Sequence, residues 1–542
     1  MPALPSDQAA APAPEDSAPS AWAPFRHAAF AVLWGAAVFS NVGTWMHDVA
    51  AGWLMTSLAP TPLMVALVQA ATTLPIFLFA LPAGTLADLV DRRHLLIGVM
   101  SVLALAAAVL ATLALLGGVT PWLLIGFTLV FGTGAAFVAP AWQSIVPLLV
   151  PRGQLQSAVA LNSMGINISR AIGPALAGLV IAAFGIAWPF LANAVSFLAV
   201  IAALLWWRPP PRRASPLPAE RFWSGLRVGL RHTRASQALR ATLARAVAFF
   251  VFASAYWALL PLIARQELAG GPALYGALLG AVGLGAVGGA LLLPRLRQRF
   301  GADAVVVAGT GGTALVLVVF ALVKLPEAAV AASLLAGASW IAVLSSLNVS
   351  AQLSLPDWVR ARGLSVFITV FFGSMALGSL LWGQLAGLVG IPGALLAAAA
   401  GALAAALLSW PYKLQQGAGP DHTPSAHWPE PLVAVPLTPD RGPVMVTVEY
   451  RVADRNRVAF LTALRELEKA RRRDGATAWG LFEDAGSPGR FVESFLEESW
   501  HAHLHHHARV TQADRVLQDR VRALHDGPDE PRVTHFLTPD GR

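Results

Sequence analysis

Asp48 and Arg170 carry charge deep inside apolar stretches of this 542-residue chain, where no water solvates a lone ion. Asp48, in NVGTWMHDVAAGWLM, lies about ten positions, or roughly 15 Å of helical rise, from the end of its apolar run. A charge at that depth costs at least about 2.5 kcal/mol to insert, so the carboxyl is paired, protonated or facing a water-filled cavity. All three suit proton or substrate coupling; the alternative is an ion pair that only locks helices together. Arg170, midway along NSMGINISRAIGPALAG, keeps its proton and requires an acid. By elimination its expected partner is Asp48, the clearest deep acid of the first half. Arg245 is shallower and is expected to snorkel toward the membrane surface.

Further side chains extend the candidate chemistry. Gly84, Asp88, Arg92 and Arg93, in GTLADLVDRR, form a short charged hairpin between apolar segments. Gly173, Pro174 and Gly178 break the regularity of a helix and let neighbouring backbones approach. Asn41, Gln69 and Asn167, with Asn162 and others, are candidates to line a central cavity, although such residues equally bond helix to helix. Trp45, Tyr256 and Trp257 could wall an organic substrate or serve as interfacial anchors. His47 projects about 100° from Asp48 on a helix and need not share its face. The run HAHLHHHARV places His501 with His505 and His503 with His507 at i, i+4 spacing. That spacing suits a metal, yet with no Cys and no fixed carboxylate nearby we expect no metal, cofactor or catalytic constellation, only a solvated or substrate-facing helix.

The elements that position these residues are membrane spans. Apolar windows of roughly 20 residues fall near 28–57, 62–83, 95–118, 121–149, 157–184, 187–207, 240–266, 272–294, 302–324, 327–354, 361–389 and 392–412. Arg and Lys crowd alternate connections, including Arg92–Arg93, 208–234, Arg295–Arg299 and Arg360–Arg362, whereas the other face carries only Arg265 and Lys324. The positive-inside rule makes the crowded face cytoplasmic, with both termini on it. The expected organisation is a disordered tail over 1–27, a six-helix half over 28–207, a basic linker over 208–239, a second six-helix half over 240–413, a Pro-rich linker over 414–441 and a cytoplasmic α+β domain over 442–542. GGALLLPRLRQRFG, at 288–301, echoes the 84–93 hairpin without its acid.

Composition agrees. Hydrophobic residues make up 56% and charged residues 13%, too apolar a balance for a soluble globule. The net charge of +8 sits largely in span connections, so a nucleic-acid partner is not expected, and the lack of Cys excludes disulfides and thiolate sites. In the tail, VMVTVEYRV reads as a strand, Arg455 to Arg473 as a helix, and TAWGLFEDA and RFVESFLEES as strands joined at Gly486–Gly489. A helical stretch at 499–525 and the strand VTHFL complete a βαββαβ order, a ferredoxin-like plan. The fold class is thus an all-α polytopic membrane protein of twelve helices in two halves, plus a ferredoxin-like α+β domain.

The 84–93 hairpin resembles the loop between helices 2 and 3 of the major facilitator superfamily of secondary transporters. Gly84, Asp88, Arg92 and Arg93 match; Asp91 and Leu89 depart from the pattern. The resemblance implies that Asp88 meets the N-terminal dipole of a helix starting near Arg360 and Arg362 and so gates one access state, with Arg92 and Arg93 seeking acids nearby. Gly173-Pro174 and Gly178, following Gly165, resemble the helix-5 signature of proton-coupled drug antiporters, with Ser169 and Ala160 on two rungs of its glycine ladder. Segments 41–55, 149–178, 352–363 and 442–452 are similar to the branch of enterobactin-type exporters and transmembrane secretion effectors. That branch implies proton-driven efflux of a drug-like compound or siderophore across the bacterial inner membrane, with substrate, protons and lipid bilayer as partners. The tail resembles dimeric barrel domains related to antibiotic-biosynthesis monooxygenases, implying a dimerisation or regulatory module and a homodimer. A membrane-anchored enzyme or sensor, or an importer of the same fold, are the alternatives.

Overall fold

Inside a bilayer an apolar backbone can satisfy its own polar groups only as a helix or closed barrel. The long apolar runs accordingly form α1 (Ala28–Leu58), α2 (Pro62–Leu89), α3 (Arg92–Leu115), α4 (Pro121–Ile145), α5 (Leu155–Phe184), α6 (Ala187–Trp206), α7 (Gln237–Leu262), α8 (Pro272–Leu322), α9 (Pro326–Leu353) and α10 (Arg360–Leu408). The structure is a computed structural model that describes residues 20–209, 233–416 without 235, 357 and 358, positions 423, 425, 427, 428 and 438, and residues 441–539. The tail and linkers expected over 1–27, 208–239 and 414–441 lie largely outside those residues. Within the expected tail, Ala23–Arg26 form a 3₁₀ turn whose Phe25 packs edge-on against Phe30 and Trp34 of α1.

Among the described residues, ten helices are long and apolar enough to cross a membrane. The difference from twelve expected windows lies in α8 and α10, 51 and 49 residues long. Each is interrupted by one glycine, Gly301 at φ 79° and Gly390 at φ 80°, without an intervening loop. Side chains with a Cβ are strained there, so each pair of windows is divided at a residue rather than at a connection. Leu291 and Leu388 are each 74% exposed on the outer surface of the bundle, an apolar exterior that calls for lipid.

Helix ends are held by identifiable groups. Asp91, which departs from the glycine of the family pattern, caps α3 by accepting the His94 amide at 2.9 Å. Arg93 donates to the Leu204 and Leu205 carbonyls at 2.7 and 2.9 Å, and Arg92 to the Ser144 carbonyl at 3.3 Å. The hairpin arginines therefore hold the C-terminal ends of α6 and α4 through their carbonyls, where the helix dipole favours a cation. Arg245 does the same for α10, reaching the Ser409 and Trp410 carbonyls at 3.4 and 3.5 Å. Its Nη1 pairs with Asp303 at 2.7 Å, and only 2% of the side chain is exposed, so it is a buried tether and does not snorkel.

Packing divides the bundle by depth. One apolar cluster joins Met46, Val49, Met55, Val65, Ala177 and Phe190 of the first half to Phe250, Leu259, Tyr275, Leu278 and Trp382 of the second. These first-half residues all lie toward the face carrying the α1–α2 turn. Toward the opposite face, Phe30, Leu33, Leu96, Ile145, Leu161, Phe197 and Leu204 form a separate cluster drawn from the first half alone. The joint depends on backbone proximity: a Cβ on Gly276 of α8 would stand 2.5 Å from the Pro174 carbonyl oxygen of α5, and one on Gly178 2.6 Å from that of Pro272.

The C-terminal elements are β1 (Val444–Arg451), α11 (Arg457–Asp474), β2 (Ala478–Glu483), β3 (Arg490–Glu497), α12 (Trp500–Arg509), α13 (Gln512–Arg522) and β4 (Arg532–Leu537). The strands form an antiparallel sheet in the order β2-β3-β1-β4. Val444, Val446, Val448 and Tyr450 alternate inward from β1 onto Phe460 and Leu464 of α11. The stretch expected to be one helix over 499–525 is two, because Thr511 and Asp514 build a capping box that starts α13 afresh.

Gly276→Ala is expected to lower the apparent melting temperature of the detergent-purified protein, overpacking of this kind costing about 1–3 kcal/mol. Gly288→Ala, where an added Cβ meets nothing within 4 Å, is the control and should leave it unchanged or raised.

Candidate functional site

A cavity of about 320 Å³ opens among α1 to α6. Helix α1 contributes Ala37, Asn41, Thr44 and Asp48, which at i, i+4, i+7 and i+11 form a single stripe. Facing it are Thr72 of α2, Thr128 and Gln143 of α4 and Asn162 of α5, with Met100, Leu103, Phe197 and Val200 as apolar wall. Trp142 donates its indole N–H to Asn162 Oδ1 at 3.2 Å, fixing the amide's direction. His47 reaches the same cavity despite its offset from Asp48. Its ring lies 4.0 Å from that of Phe131 and 4.8 Å from that of Phe190, and neither nitrogen is hydrogen-bonded among the described residues.

Asp48 and Arg170 do not pair: among the described residues Asp48 has no ion pair and no side-chain hydrogen bond. The guanidinium of Arg170 instead lies 5.7 Å from the Trp45 ring centroid, and its Nε is buried without a partner. Gly173 creates that contact, since a Cβ there would come within 2.6 Å of Trp45 Cβ. The cation is held by an aromatic face, and elimination failed because it considered only carboxylates.

The remaining candidates separate. Trp45 supports Arg170 and is no cavity wall. Tyr256 and Trp257 belong to an aromatic cluster of the second half, Trp257 standing 5.3 Å from Trp340, with Phe250 and Phe371 beside them. Asn167 donates to the Ser163 carbonyl of its own helix at 2.9 Å, and Gln69 does not line the cavity. Gly84 and Asp88 fall in the last turns of α2, and the surroundings of the two positions lie outside what the structure describes. Sequence reading missed Thr44, Thr128 and Gln143; the helical stripe through Asn41, Thr44 and Asp48 was the available signal for the first.

The two halves are latched at the face poor in basic residues. Arg265, in the π-helical turn Ile263–Glu267, donates to Thr56 Oγ1 at 2.8 Å and Ser57 Oγ at 2.5 Å of α1. It also lies 5.5 Å from the Trp53 ring, which stacks on Tyr275 of α8 at 6.1 Å. Gln266 adds a hydrogen bond to the Pro60 carbonyl at 3.3 Å, and Lys324 pairs with Glu267. Both lone cations of that face therefore have structural partners.

Apolar helices α1 to α6 and α7 to α10 joined at one face around a polar cavity have the fold of the major facilitator superfamily. Solved structures agree on the fold. A bacterial homolog of the human lysosomal transporter Spinster, inward-facing and unoccupied, aligns over 72% of this chain and 97% of its own at a TM-score of 0.55 and 15% identity. A nucleoside transporter aligns over 71% and 99% at 0.58 and 13%. The chain belongs to the transmembrane secretion effector family, whose model matches residues 19–542. It is 26% identical over 264 residues to the staphyloferrin A transporter of Staphylococcus aureus, covering 48% of this chain and 65% of that one. It is 27% identical over 364 residues to the enterobactin exporter of Salmonella typhi, covering 66% and 86%. A macrolide efflux protein of Streptococcus pyogenes matches at 26% over 28% of this chain, so the match spans only 37% of that relative.

The chain has no cysteine, so Thr44→Cys supplies a single reporter in the cavity. Adding Arg265→Ala should raise its labelling by an impermeant maleimide from the latched face about fivefold or more, as expected for about 1–2 kcal/mol of lost hydrogen bonding. Unchanged labelling would show that closure does not depend on Arg265.

Proposed function

We propose that this chain is a secondary active exporter of a small organic molecule, a siderophore or drug-like compound, working by alternating access and driven by proton exchange at Asp48. The observation that carries the reading is the carboxyl of Asp48, placed in a polar cavity within the bundle and left without a cation among the described residues. A carboxyl whose hydration alternates as the cavity opens and closes takes up and releases a proton each cycle. Export is supported by the names of the relatives, an enterobactin exporter and a macrolide efflux protein among them. The Arg265 latch and the first-half cluster at the other face support a state open toward the termini. With the windows on either side of Gly301 and Gly390 counted separately, the plan is twelve spans in two six-helix halves. Both termini then face the cytoplasm across the inner membrane, and Gly84, Asp88, Arg92 and Arg93 gate that mouth. The C-terminal sheet and helices form a ferredoxin-like domain that dimerises or regulates the carrier.

Asp48→Asn removes the exchangeable proton while keeping shape and polarity. In everted vesicles, substrate-dependent proton release is expected to fall at least tenfold with a catecholate or carboxylate siderophore or a macrolide, whichever the wild type moves. Proton release at the wild-type level in the variant would sink the coupling role of Asp48 without touching the family assignment.

A further inference from the structure

The histidines of the tail are not the solvated row that their sequence suggests. His503 and His506 are buried, and both donate Nδ1–H to one carboxylate, that of Glu497 on β3: His503 to Oε2 at 2.8 Å and His506 to Oε1. The carboxylate that sequence reading did not find is supplied by the sheet beneath the helix. With Nδ1 of His503 committed to Glu497, its Nε2 is left facing the neighbouring histidines. One turn along α12, His507 Nε2 stands 3.1 Å from it, and His535 crosses from β4 with its ring 4.7 Å from that of His503. Donor nitrogens of His503, His507 and His535 all lie within 4.8 Å of one another.

We propose that His503, His507 and His535 form a binding site for one divalent first-row transition ion, with Glu497 orienting His503 from behind. Three imidazoles around an ion at about 2.0–2.1 Å place their nitrogens roughly 3.3–3.5 Å apart, a spacing that the first pair nearly has and His535 reaches by rotating its side chain. A carboxylate on the far nitrogen of a ligating histidine fixes its tautomer and raises its basicity, and removing such a group typically weakens binding about 10–100-fold. Imidazole donors select zinc, copper, nickel or iron over magnesium and calcium, and three of them leave a coordination position open. His501 and His505 form a separate exposed pair, with Nε2 atoms 3.0 Å apart, and take no part.

The test uses full-length protein in detergent, purified without a histidine tag and stripped with chelator. Cobalt(II) is added with the visible d–d bands as readout, and zinc is titrated by calorimetry. One ion per chain is expected. His535→Asn and His507→Asn should each weaken it at least tenfold and Glu497→Gln about 10–100-fold, whereas the double variant His501→Asn, His505→Asn should stay within twofold of wild type. His535 and His507 are only partly buried, so their variants test binding without removing the bonds to Glu497. No uptake by the wild type below about 100 µM overturns the proposal. So does binding that survives in His535→Asn and His507→Asn, or that is lost only in the His501/His505 double variant.

Discussion

The bundle depends on how closely α5 can approach its neighbours. Between helices in lipid there is no hydrophobic drive to association, so packing must come from backbone contact at small residues. Gly165 admits Trp34 and Val38 of α1, Gly173 admits Trp45, and Gly178 lies against Gly276 of α8. One helix thus positions the cavity stripe of α1 on one side and the second half on the other. Pro174, between the two contacts, offers its carbonyl oxygen to the Gly276 approach, so the Gly-Pro element acts as a spacer that fixes two interfaces at once. The same approach seats Arg170 over Trp45, one turn from Asp48, so that α5 touches both the α8 joint and the α1 segment that carries the cavity carboxyl.

Much of this was legible in sequence where a single segment carries the signal. Apolar length places the spans, period-2 alternation places β1, and the Gly486–Gly489 turn places β2 against β3. The cavity stripe was legible too, since Asn41, Thr44 and Asp48 repeat at helical spacing within one segment. What escaped were the partners, because partnership is set by distant segments. Arg170 chose an indole, Arg92 and Arg93 chose carbonyls, and Arg245 chose Asp303, an acid that lies just past the 288–301 echo. Sequence reading sought a carboxylate for Arg170 and placed Arg245 at the membrane surface, whereas a buried cation pairs with any aligned acceptor or aromatic face. Glu497 shows the reverse: strand alternation reads it as a polar residue of β3, and only the fold brings α12 over it.

The buried acids of the tail are all paired, as Asp303 of the bundle is with Arg245, and Asp48 differs from them. Glu493 accepts from Arg471 at 3.3 Å, from Tyr450 at 3.1 Å and from Trp479 at 3.0 Å. Burial and that carboxylate push the Tyr450 hydroxyl well above its ordinary range, so the phenol remains a donor. Burial alone would raise the Glu497 carboxyl, yet His506 and His503 hold it well below the usual range. Asp474 and Asp514 share Arg473 at 2.8 and 2.5 Å. Acids fully committed in this way specify a single arrangement. Asp48 has no such commitment among the described residues, although Arg170 lies across the same interface and could have been aimed at it. A carboxyl without a partner is costly inside a membrane, and the cavity that Asp48 lines is where that cost is relieved. The contrast within one chain, paired acids in the tail and an unpaired one where α1 lines a cavity, is the observation on which the proposed role of Asp48 rests.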